Sequence, residues 1–132
     1  MKKIIIILSV FFILFFVGCG LNIKLEGTKW ESVVVDENTN SKEVVTTYEF
    51  LPNDRFIIHY VPYLNSEPQY KFAIITTGTW WVDSINELSL AGPKIEYPSY
   101  KEVEDVNYTI EYSKEKLVLS NADETITLTR VK

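Results

Sequence analysis

From Glu26 to Lys132, apolar and polar residues alternate with a period of two in one run after another, and β-branched and aromatic residues fill the apolar positions. Successive side chains of an extended strand point to opposite faces, so this pattern builds half-buried strands and leaves no convincing helix. Trp30 to Asp36 reads as a strand, and the polar ENTNSKE that follows reads as a loop. Val44, Thr46, Tyr48 and Phe50 share one face of the next strand, which ends in the turn LPNDRF. Phe56, Ile58 and Tyr60 then share a face, with Arg55, Ile57 and His59 opposite. Pro62 to Pro68 reads as a loop. Tyr70, Phe72, Ile74 and Thr76 alternate as a strand with Lys71, Ala73, Ile75 and Thr77. GTWWVD opens another strand, DSIN turns it, and Leu88 and Leu90 continue. Gly92 to Asp105 is the longest irregular stretch. Val106, Tyr108, Ile110 and Tyr112 share a face, SKEK turns into Leu117 to Leu119, and NADE turns into Ile126, Leu128 and Arg130. About eight short strands joined by hairpin-like turns pair most simply in sequence order, as an all-β antiparallel up-and-down barrel or a sandwich.

The first residues obey a different rule. Lys2 and Lys3 precede Ile4 to Val17, where Ser9 is the only polar residue. A basic start followed by a short apolar core reads as a secretory signal over residues 1–18. As a helix those 14 residues would reach only about 21 Å, against a bilayer core of about 30 Å, which argues against a spanning anchor. Cleavage there removes two of the 13 basic residues and none of the 18 acidic ones, so 11 face 18 and the remainder carries −7. Such a surface repels phosphate backbones, which makes nucleic acid an unsuitable partner, and it gains nothing from an anionic membrane surface.

Cys19, flanked by Gly18 and Gly20, is the only cysteine, so no disulfide can form within the chain. It is either a bare thiol or a modified one, and its position decides. Phe16-Val17-Gly18-Cys19 resembles the lipobox of bacterial lipoproteins, with the bulky Phe16 where leucine is commonest. That resemblance implies cleavage before Cys19 and a diacylglycerol on its thiol. Two acyl chains anchor stably where one does not. Residues 19–25 would then be a lipidated tether, 26–132 the barrel domain, and the location the extracytoplasmic side of the bacterial envelope, on the outer membrane in a Gram-negative cell.

The segments LEGTKWE, YEFLPNDRF, GTWWVDSINELSLAG, YTIEYSKEKLVLS and ITLTRVK occur in an order that resembles the lipocalin-like lipoproteins of bacteria, from about Leu25 to Lys132. The resemblance implies a calycin-type up-and-down barrel. It also implies that Gly27 and Trp30 on the first strand meet Arg130 on the closing strand, with the guanidinium over the indole. The plainer alternative is a buried Trp30 and a solvent-facing Arg130. The sequence departs from the usual G-x-W spacing by one residue at Gly27-Thr28-Lys29-Trp30, and Asp54 stands where a turn glycine is common. Aspartate tolerates the left-handed region well enough for that turn to survive. GTKWES and GTWWVDS also echo one another, either as two related halves or as two strands built from the same β-formers.

Chemistry has few carriers. His59 is the only histidine and lies on the face away from Phe56, Ile58 and Tyr60, so it points outward. Without it no Ser-His-Asp set assembles, and one histidine with no free thiol falls short of a zinc site. EVED at 102–105 lacks the spaced ligands and turn glycine of a calcium loop and reads as a solvated acidic loop. No enzyme, metal or cofactor is expected. The aromatic content remains. With Phe11, Phe12, Phe15 and Phe16 removed alongside the signal, three Trp, eight Tyr and three Phe are left. Tyr48, Phe50, Phe56, Tyr60, Tyr70, Phe72 and Tyr108 are candidates to line the barrel interior. An eight-stranded barrel either fills itself with side chains or holds one small ligand. Two readings follow: a lipid-anchored barrel binding a small hydrophobic or amphipathic ligand at the envelope, or an interaction module with a filled core that contacts an envelope protein through the acidic loops 36–43 and 92–105.

Overall fold

The computed structural model describes residues 25–83 and 86–132. The expected signal segment, Cys19 and the expected tether up to residue 24 lie outside the described residues, as do residues 84 and 85 of the expected DSIN turn. Eight main strands close an antiparallel barrel in sequence order: β1 (Thr28–Val35), β2 (Lys42–Leu51), β3 (Arg55–Leu64), β5 (Ile74–Val82), β6 (Glu87–Tyr97), β8 (Val106–Tyr112), β9 (Lys116–Ser120) and β10 (Thr125–Arg130). Two short strands, β4 (Glu67–Pro68) and β7 (Lys101–Glu102), pair with β3 and β6. Closure comes from β10 returning to β1 through Trp30↔Arg130 and Glu31↔Thr129.

Inward residues are the apolar partners of the period-two pattern. Trp30, Phe50, Phe56, Trp80, Leu88, Leu90, Ile110, Leu117, Leu119 and Leu128 form one buried cluster at the closed end. Gly78 makes that packing possible: a Cβ there would lie 2.6 Å from Phe56 Cε1 and 2.9 Å from the Ala91 carbonyl oxygen. Leu25 is fully buried in the same cluster, so the residue expected to end the tether instead begins the core.

The barrel is closed over only part of its height. β6 pairs with β8 only from Glu87 to Leu90, and β1 with β10 only at Trp30 and Glu31. Beyond those points β1, β2, β3, β5 and β6 continue as an extended sheet. Its β6 edge is covered by β7, through Lys94↔Glu102 and Ile95↔Lys101.

Three expectations change. Pro62 to Leu64 extend β3, and Asn65 and Ser66, at φ 51° and 64°, make a two-residue turn into β4. Positive φ at both central residues matches the twist of a hairpin, and Asn tolerates it. Residues 92–97 also belong to a strand, the end of β6, so the irregular stretch shrinks to the segment around β7. Tyr70 to Phe72 form a single 3₁₀ turn, closed by Phe72 N–H to Gln69 O and Ala73 N–H to Tyr70 O, each 3.0 Å. The strand expected from Tyr70 therefore starts at Ile74. The LPNDRF turn is as expected: Asn53 and Asp54 both take left-handed φ, 69° and 59°.

Candidate functional site

The Tyr70–Phe72 turn folds the chain against the outer face of the extended sheet. Alternation places Ile57, His59 and Val61 of β3 on that face, opposite Phe56 and Ile58. His59 pairs with Ile75 of β5, and Ile75 pairs with Tyr97 at the end of β6. Together with Tyr70 and Ala73 these residues enclose an open groove of about 280 Å³ lined by His59, Val61, Tyr70, Ala73, Ile75 and Tyr97, whose surface is almost wholly apolar. That volume lies just below the range of about 300–1,000 Å³ typical of small-molecule sites. The polar groups on its lining residues are the His59 imidazole and the hydroxyls of Tyr70 and Tyr97. The arrangement suits an apolar chain or ring with a polar end that one of these groups can meet. Among the described residues no cluster of three His, Cys, Asp or Glu side chains is placed to hold a metal ion.

The residues expected to line the interior divide. Phe50, Phe56 and Tyr108 are buried in the core, and Tyr48 packs half-buried against it. They fill the barrel together with Trp30 and Trp80, whose rings meet Tyr112 and Phe50 edge-on at 5.9 and 5.2 Å. Tyr60 sits in the extended part, beside Thr46 and Ile74, and is 39% exposed. Tyr70 and Phe72, at 69% and 62%, lie outside the barrel altogether. The 3₁₀ turn removes both from the strand that would have carried them inward, and Tyr70 instead lines the outer groove. His59 points outward as expected. Val61, Ala73, Ile75 and Tyr97 were not singled out in the sequence. Of these only Ile75 carried a signal, the consecutive apolar residues Ile74-Ile75, which mark a strand covered on both faces rather than one.

At the junction Trp30 and Arg130 do meet. The Arg130 guanidinium carbon lies 5.7 Å from the centroid of the Trp30 ring, within reach of a cation–π interaction. The Trp30 indole N–H donates to Thr28 Oγ1 at 2.8 Å, and the Thr28 hydroxyl donates to the Leu25 carbonyl. Gly27, at φ +78°, turns the chain between them and donates its N–H to Phe50 O at 2.7 Å.

A tyrosine of the core also reaches an exposed carboxylate in the turn before β10. The Tyr108 hydroxyl donates to Glu124 Oε1 at 2.7 Å. Burial, and then the nearby Glu124 carboxylate, push the Tyr48 phenol up to about 12. Burial, followed by the hydrogen bond to Glu124, raises Tyr108 too. Both phenols are held neutral more strongly in the fold than in the unfolded chain, where they titrate near 10. Their contribution is therefore complete below pH 10 and lost as pH rises from 10 toward 12. Urea midpoints at pH 9 and pH 11.5 check this: the drop between them is expected to be smaller in Tyr48→Phe than in the parent. An identical drop would remove Tyr48 from the account.

The fold thus defines an all-β protein built on a closed eight-stranded antiparallel barrel with a packed interior and an apolar groove outside it. No family model, no curated protein and no solved structure matches the chain.

Proposed function

We propose that this is a non-catalytic, lipocalin-like bacterial lipoprotein, held at the envelope by a diacylglycerol on Cys19, whose barrel domain binds a small hydrophobic or amphipathic ligand. The ligand site is the outer groove of His59, Val61, Tyr70, Ala73, Ile75 and Tyr97. One observation carries the reading: this groove offers an almost wholly apolar concavity of about 280 Å³, while aromatic and aliphatic side chains occupy the barrel centre. A site of this size takes a short chain or one ring, not a whole lipid.

Titration of the barrel domain with decanoate, followed by amide shifts, tests it. Shifts should cluster at His59, Val61, Ala73 and Ile75. Val61→Glu puts a carboxylate into the groove, where it repels the decanoate headgroup and is poorly solvated, and should weaken binding about tenfold or more, while the thermal midpoint barely moves, because a partly exposed strand position tolerates a charged side chain. Shifts confined to the core aromatics Phe50 and Tyr108, or none at millimolar decanoate, would overturn the groove as the ligand site.

The filled centre favours a second reading, an interaction module that contacts an envelope protein through its acidic loops. Charge reversal at Glu37 and Glu43 should then abolish partner capture and leave decanoate binding alone.

A further inference from the structure

The barrel is unzipped from one definite point. Above Glu31↔Thr129 the ladder between β1 and β10 stops, although both strands continue, β1 to Val35 and β10 back to Thr125. Among the described residues no strand lies beside Ser32–Val35 on the side away from β2, or beside Thr125–Leu128 on the side away from β9. The opposite edge of the extended sheet is treated differently, since the chain returns to cover β6 with β7. The bare edge of β1 reads Ser-Val-Val-Val, with Val33, Val34 and Val35 at 38, 50 and 43% exposure. Natural edges are usually blunted by lysine, proline, a bulge or a cover; this one has no lysine, proline or cover within its four residues, and its single irregularity is the register shift against β2 at Val34/Val35, which leaves Ser32 to Val34 in regular register.

We propose that the Ser32–Val35 edge of β1 takes an extended segment of a partner polypeptide as an added strand, and that the segment alternates β-branched residues between basic ends. Backbone hydrogen bonds would supply the affinity, and the valines on both faces would select β-branched neighbours. The basic ends follow from charge. Glu31 bounds the edge on one side and Asp36 and Glu37 on the other, and Asp123 and Glu124 precede the facing edge of β10. Of the cations nearby, Lys29 precedes the edge, Arg130 is held with its guanidinium over the Trp30 ring at 5.7 Å, and Lys42 has its Nζ over the Tyr63 ring at 5.9 Å, on the far side of β2. The same charges act against a second copy of this chain. Two β1 edges paired antiparallel about Val33–Val34 would place Glu31 of each near Asp36 of the other, and like charges directly opposite destabilise a ladder. This surface is separate from the outer groove and does not depend on it.

Hydrogen exchange of the full chain in detergent tests the proposal, with the peptides KVTVTVK and EVTVTVE as probes. KVTVTVK at millimolar concentration is expected to slow exchange at residues 32–35 about tenfold, with EVTVTVE having little effect. Glu31→Lys with Glu37→Lys should narrow the preference for KVTVTVK, since Asp36, Asp123 and Glu124 remain, and this double variant keeps the fold because both positions lie outside the core. Val33→Lys with Val34→Lys should abolish protection by KVTVTVK. No protection at 32–35, or equal protection by both peptides, would overturn the proposal. Protection that rises with protein concentration alone would assign the edge to a second copy and overturn it as well.

Discussion

Trp30→Ala is expected to cost about 3–5 kcal/mol in urea unfolding, the usual loss for a fully buried tryptophan. The β1–β10 junction has only two residue pairs, Trp30↔Arg130 and Glu31↔Thr129, so its backbone ladder is short. The indole does the rest. It is fully buried, meets Tyr112 edge-on at 5.9 Å, carries the Arg130 guanidinium on its face, and has its N–H satisfied by Thr28. Removing it opens a cavity at the one seam that closes the barrel, and it leaves the Thr28 hydroxyl without its donor. A domain of this size has about 5–15 kcal/mol in all, so the variant retains at best a marginal fold. Arg130→Met separates the two halves of the contact. It keeps most of the apolar stem and loses the cation–π attraction, about 0.5–2 kcal/mol, together with the long, exposed hydrogen bond from Arg130 Nη1 to the Lys114 carbonyl at 3.5 Å. If Trp30→Ala cost no more than Arg130→Met, the seam would be held by its ladder and the indole would be incidental.

The parts legible in the sequence are those that depend on neighbours along the strand. Period two places Phe50, Phe56, Tyr108 and Leu128 inward and His59 outward, and the structure has them so. Turn chemistry at Asn53-Asp54 was equally local. What failed depends on the path of the chain through space. Tyr70-Lys71-Phe72-Ala73 alternates like a strand, but Phe72 N–H bonds Gln69 O and Ala73 N–H bonds Tyr70 O, not a neighbouring strand. Nothing in those four residues distinguishes the two outcomes. Apart from the apolar pair Ile74-Ile75, the groove left no mark, for the same reason. His59, Ile75 and Tyr97 come together only through the β3–β5–β6 register, and Tyr70 and Ala73 reach them only because the 3₁₀ turn folds back. The unzipped edge is hidden too, because it is set by where β10 stops following β1.

Leu25→Ala should cost about 2–5 kcal/mol, a result that a flexible tether could not produce. Read along the sequence, Leu25 is the last residue of a short linker after Cys19, with exposed Glu26 and Gly27 beside it. In the fold it is fully buried in the same core cluster as Trp30, and its carbonyl accepts the Thr28 hydroxyl, which in turn accepts the indole N–H. Leu25, Thr28 and Trp30 thus form one chain of contacts, and losses at linked positions do not add. The double variant Leu25→Ala with Trp30→Ala should therefore lose less than the sum of the two single losses, by about 0.5–3 kcal/mol. Glu26→Ala is the control, an exposed neighbour whose truncation should stay within about 0.5 kcal/mol. If Leu25→Ala proved as mild as Glu26→Ala, the core would begin at Thr28, and residue 25 would return to the tether. If the loss is found, and if Cys19 carries the anchor proposed for it, the tether shortens to residues 20–24. At about 3.3–3.6 Å per residue it then reaches no more than about 18 Å. The closed end of the barrel, where Leu25 sits, would then lie against the anchoring bilayer, with the groove and the free β1 edge carried toward the other end of the strands.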